Sequence, residues 1–115
     1  MSYQDVKNKL YRGHRRIANN TYLTLSDEET PVEYIDMRLH GNLIARFFPD
    51  QLNLYSAGWH TRTTKDRLNL ALRLAGIVGK VSQKDWTWFL DIPCPSNSYG
   101  FHDGMGIDYA GEVYN

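Results

Sequence analysis

The sequence predicts an α+β fold: an antiparallel sheet of four to five strands, one main helix (about 64–76) packed on one face, and a short N-terminal helix. Three observations carry that expectation. Apolar and polar residues alternate through much of residues 17–59, the period of half-buried strands. Leu68, Ala71, Leu72 and Ala75 fall at i, i+3, i+4 and i+7, one stripe of a helix. Short polar turns separate the segments, which favours neighbouring antiparallel strands.

The elements follow in order. Val6 and Leu10, four apart with Tyr3 and Tyr11 nearby, suit a short helix over 3–12 that stops at Gly13. Residues 14–25 read as one extended segment, with Ile17, Asn19, Thr21, Leu23 and Leu25 on one side and Tyr22 and Thr24 on the other. SDEETP is a turn. Val32, Tyr34, Asp36 and Arg38 then alternate with Ile35, Met37 and Leu39. Gly41-Asn42 reads as a tight hairpin turn into a strand over 43–48, and Pro49-Asp50 as a second turn into a strand from Gln51.

Thr63 and Asp66, three apart, resemble a capping box at the start of the main helix, with Thr63 or Thr64 as its cap. Lys65, Asn69 and Arg73 are expected to face water, and Gly76 and Gly79 to end the helix. Residues 84–92 read as one aromatic strand, stopped by Pro93 and Pro95 around Cys94. The Gly-rich remainder lacks a period; it holds one short strand near Met105–Ile107 and a mobile tail. These elements make one domain over residues 1–115.

Charge is balanced overall but not along the chain. All thirteen Lys and Arg fall in residues 1–84 against eight acids, an excess of +5, while residues 85–115 carry five acids and no base. A basic face guarded by an acidic tail would give this pattern, and so would two ends that attract each other within one fold. The second reading is the simpler one, because a dedicated nucleic-acid binder is basic overall. A single Cys allows no internal disulfide, which fits a reducing compartment. No apolar run is long enough to span a membrane, and no signal-peptide core follows the first Met. The expected location is therefore cytosolic, with no membrane partner.

The catalytic signals are weak. His14, His40, His60 and His102 lack zinc-site spacing, so no metal and no cofactor is expected. His102-Asp103 could orient a general base, but a Gly-rich turn with Asp bonded to its own backbone is the better explanation. Cys94 has no basic neighbour to activate it. The most suggestive stretch is 56–67, where Arg62, Thr63, Thr64, Lys65 and Arg67 gather at a helix N-terminus, a setting that favours anions. The plain alternative there is a capped helix with Trp59 folded into the core. No G-x-x-x-x-G-K-[ST] loop is present. Arg15 and Arg16, with Arg12, form a second basic spot.

Asn20-Thr21-Tyr22-Leu23, Leu39-His40-Gly41 and Leu52-Asn53 are followed by Gly58-Trp59, Thr61, Thr63-Thr64-Lys65 and Arg67-Leu68-Asn69. Together with Phe101 to Met105, this pattern resembles a family of small bacteriophage-encoded proteins over about residues 15–107. Ala57 stands where that family usually has a first Gly, and Leu68 where it has Ile. The resemblance implies a phage origin and the same small sheet-plus-helix domain; it carries over no catalytic residue. The expected function is a non-enzymatic phage accessory protein that binds a host macromolecule, a host protein or protein–nucleic acid complex, in the host cytoplasm. Inhibition of a host defence system is one form of that role. A nucleic-acid-binding domain using 56–67 and 12–16 is the alternative, and a small metal-dependent hydrolase or nuclease using the His residues is the third.

Overall fold

The computed structural model of the chain describes residues 3–27, 29–93 and 96–114. The strands β1 (His14–Ala18), β2 (Thr21–Leu25), β3 (Ile35–Leu39), β4 (Asn42–Phe47) and β5 (Gln51–Leu54) follow a five-residue helix α1 (Tyr3–Lys7). Helix α2 (Arg62–Ala75) comes next, and then β6 (Lys80–Lys84), β7 (Thr87–Pro93), β8 (Ser96–Gly100), β9 (Met105–Asp108) and β10 (Val113–Tyr114). Seven strands form one sheet in the order β1-β2-β3-β4-β5-β9-β10, and β6-β7-β8 form a second. The expected α+β class, with four to five strands and one main helix over about 64–76, is thereby corrected. Among the described residues the chain is mostly β, with ten strands and two small helices.

Turns made by residues other than Gly account for the difference. The 14–25 segment is two strands, because the chain reverses at Asn19–Asn20, where Asn20 has φ 54°. Likewise 84–92 is broken at Asp85–Trp86 (φ 51° and 69°), which closes the β6–β7 hairpin. The third hairpin turns at His40–Gly41 (φ 51° and 80°), one residue earlier than expected, and Asn42 already pairs with Leu39. Two successive positive φ values give the turn twist that a two-residue hairpin needs. The Gly-rich segment supplies β8 and β10 besides the expected strand at β9. Cys94 and Pro95, read as part of a rigid stop, lie outside the described residues.

Leu23, Ile35, Met37, Phe47, Leu52, Leu54 and Ile107 bury completely on one face of the large sheet. α2 closes that face, packing on β3, β4, β6 and α1, with Leu68, Ala71, Leu72 and Ala75 fully buried as the periodicity predicts. Its N-cap is Thr61 and not Thr63 or Thr64: the Thr61 hydroxyl accepts the Thr64 N–H at 3.2 Å. Gly76 in the left-handed region ends it, as expected.

Asn69, expected to face water, instead clamps the small sheet. Its amide accepts the Val81 N–H at 2.7 Å and donates to the Val81 carbonyl at 3.1 Å. Those backbone groups lie on the open side of β6, so the side chain stands in for a missing strand.

Among the described residues, four pairs of neighbours share positive φ: Arg12–Gly13, His40–Gly41, Ala57–Gly58 and Asp85–Trp86. Three of them end in Gly; the fourth ends in an indole that is 93% exposed. A β-carbon in this conformation costs about 1–2 kcal/mol, and Trp86 recovers none of it by burial. Trp86→Gly is expected to raise the melting temperature by roughly 4–8 °C for a chain of this size, since Asp-Gly is a favoured turn of this type. A lower melting temperature in that variant would mean that the indole stabilises the fold.

Candidate functional site

The two basic stretches, far apart in sequence, meet at the β1–β2 turn. Arg16 donates to the Asn19 side-chain oxygen at 2.8 Å and to the Ala18 carbonyl at 3.3 Å. From the other side, Arg67 donates through Nε to the Thr21 hydroxyl at 2.8 Å and through a terminal nitrogen to the Asn19 carbonyl at 3.5 Å. Thr21 is fully buried, so Arg67 fastens α2 to the hairpin and is only partly available to a partner. The next turn is tied in as well, because the His40 N–H donates to the Asn20 carbonyl at 2.8 Å. Arg38 adds a third guanidinium here, bonded to the Gly41 carbonyl at 3.2 Å. The nearby Asp36 does not cancel it fully, since that carboxylate is gripped at 2.7 and 3.2 Å by Arg46.

Beside these turns lies a groove of about 490 Å³ between the β3–β4 hairpin and the N-terminus of α2. Leu39, Ile44, Ala57 and Trp59 give it apolar walls, and His40, Asn42, Thr61 and Thr63 give it polar ones. Trp59 is not folded into the core; it is 60% exposed. Thr64 is buried, with its hydroxyl 3.1 Å from that of Thr61, and Thr63 is exposed. Arg62 stands out from the helix start with a side chain that is 91% exposed and 3.9 Å from Asp66. Lys65 is half-buried, and Arg15 is exposed, with its guanidinium on the Lys9 carbonyl at 3.2 Å.

The loop that carries Trp59 is held at both ends. Ser56 is buried, and Asp103 accepts both its N–H (2.7 Å) and its hydroxyl (2.8 Å). Asp103 therefore bonds across 47 residues and not to its own turn. Ala57 and Gly58 follow at φ 55° and 77°, so Ala57 adopts a left-handed conformation that favours Gly. At the far end, the His60 ring meets the Trp88 ring edge-to-face at 4.8 Å, and Trp88 rests on Phe101 at 5.7 Å. This contact places the start of β7, two residues beyond Trp86, against the Trp59 loop.

Ser56 is 1% exposed and its hydroxyl donates to Asp103, so this Ser–Asp pair forms a structural tie. His14 stacks on Tyr22 at 5.4 Å, and His102 points Nδ1 toward the Asp103 carbonyl at 3.3 Å. Among the described residues, no three of His, Cys, Asp and Glu gather in metal-binding geometry. Nor is any helix there long and apolar enough to cross a membrane.

The cations here are among the residues that the sequence singles out, whereas the exposure of the two indoles is not legible in it. The exposure of Trp59 and Trp86 follows from the positive-φ turns at Ala57–Gly58 and Asp85–Trp86, and Asp85–Trp86 has no Gly to announce it. No curated protein and no solved structure matches the chain. The phage origin that the resemblance implied does hold: over residues 2–108 the chain matches, and so belongs to, the Kyanoviridae Gp96 protein family, a family of phage proteins.

Proposed function

We propose that the protein is a phage accessory factor that binds a host protein, in the host cytoplasm, through the end of the molecule bearing Trp59, Trp86 and Arg62. The observation that carries this reading is the pair of exposed indoles on loops joined through the His60–Trp88 contact. Trp and Arg dominate the energetic centres of protein interfaces. An exposed indole beside a largely apolar groove offers such a centre, with Arg62, Lys65, Arg16 and Arg38 as its polar rim. Inhibition of a host defence system is one outcome that such binding would have.

The test is affinity capture from host lysate, with and without nuclease, using wild type and the Trp59→Ala/Trp86→Ala double variant. A protein retained after nuclease and lost from the double variant is the expected result. Capture that nuclease abolishes would replace this reading with a nucleic-acid one, in which Arg15, Arg16, Arg62, Lys65 and Arg67 meet phosphates. Capture indifferent to both indoles would remove this face from consideration.

A further inference from the structure

We infer that β8 is a self-pairing edge, through which two copies of the chain join in an antiparallel, two-fold dimer. A strand at the end of a sheet presents unpaired N–H and C=O groups, and folded proteins normally blunt such edges. Three of the four edges here are blunted. β1 carries Arg15 and Arg16, and its register slips between Arg16 and Ala18. β10 is only two residues long. β6 is bracketed by Lys80 and Lys84 and plugged at Val81 by the Asn69 amide. β8, Ser-Asn-Ser-Tyr-Gly, has no charge, no Pro and no shift in register, and four of its five residues are exposed. Among the described residues it is the one edge left open.

The hydrogen-bond parity of the small sheet shows which groups face outward. The Phe101 N–H bonds the Trp88 carbonyl, and Phe89 lies opposite Gly100. Trp88/Phe101 is thus a hydrogen-bonded pair, and alternation makes Leu90/Tyr99 and Ile92/Asn97 the next ones. The backbone groups of Ser96, Ser98 and Gly100 then point away from β7. The other edge agrees: Leu90 spends its groups on β8, which leaves Val81 opposite it free to bond Asn69.

The outward row is symmetric about Ser98. A second β8 running antiparallel would place Ser98 against Ser98, and Ser96 against Gly100 at both ends. Every outward N–H and C=O would find a partner, and the joined sheets would form one of six strands. Small, uncharged side chains face one another in this register, so nothing repels. Such a contact is isologous and closes at two copies, as a two-fold interface must. The second copy is the occupant that this row fits, because its complement is the row itself.

The test is analytical sedimentation of the purified full chain across a wide concentration range, with three variants chosen from the register. Wild type is expected to move from monomer to dimer as concentration rises, without forming larger species. Ser98→Pro removes an outward N–H and the hydroxyl's bond to Asp91 at 2.5 Å, but no backbone bond of the β7–β8 ladder, so it should stay monomeric while keeping its circular dichroism and melting cooperativity. Ser96→Lys/Gly100→Lys should also stay monomeric; a side chain at Gly100 meets nothing within 4 Å, so it does not perturb the fold. Mixed with Ser96→Asp/Gly100→Asp, however, it should form a heterodimer at lower concentration than wild type forms its own dimer, since position 96 of each copy would face 100 of the other. A wild type that remains monomeric throughout, or a dimer that survives both Ser98→Pro and the Lys pair, overturns the inference.

Discussion

Replacing Leu72 with Ala is expected to destabilise the protein by about 2–5 kcal/mol, lowering the melting temperature by roughly 8–20 °C. The size of the effect follows from the place of Leu72 on α2. It is fully buried, flanked by Leu68, Ala71 and Ala75, which are fully buried too. The two alanines let the helix approach β3 and β4 closely, but they cannot swing into a vacated space. The cavity would therefore remain largely open, and the cost adds lost contacts to lost transfer free energy. Arg73→Ala, one residue along on the exposed face, is the control and should change stability by no more than about 0.5 kcal/mol. Equal melting temperatures for wild type and Leu72→Ala would refute the packing described for α2.

The helix face and the sheet face were readable because burial imposes a period, and a period survives any ambiguity about single residues. Leu68, Ala71, Leu72 and Ala75 announce one face of α2, and Ile35, Met37 and Leu39 one face of β3; all seven are buried. Turn backbones leave no such redundancy. Asp85–Trp86 reverses the chain with no Gly, and so the aromatic run around it reads as one unbroken strand. For the candidate site the same division holds. Basic residues are visible as letters, but a guanidinium that faces a partner and one that holds a turn are written alike. Arg62 is left exposed and Arg67 is tied to Thr21, a difference set by the position of β2, 46 residues away in the chain. Asp103 teaches the same lesson, since its bond to Ser56 depends on β9 lying beside β5.

Binding of the host protein should weaken by about 30-fold or more on removal of Trp59 or Trp86, the loss typical of a central aromatic contact. Both indoles are exposed, so the variants should fold normally, and Trp86→Gly should be more stable than wild type while binding worse. That opposition separates a binding residue from a structural one, because a structural residue would lose stability and affinity together. The cations should act differently. Arg62→Glu/Lys65→Glu reverses charge at the rim, where side chains contribute little to stability. Its main effect should fall on the association rate and shrink as salt rises, the behaviour of steering charges. Measuring both variants at two salt concentrations therefore discriminates between partners. A protein held by the indoles gives a large, salt-insensitive loss for Trp59→Ala and a small, salt-sensitive one for the charge reversal. A nucleic acid inverts this pattern: affinity falls steeply with salt because each phosphate contact releases counterions, and the charge reversal abolishes binding. If neither variant changes affinity, the groove beside α2 is a consequence of how the turns pack, and the partner is held on another face.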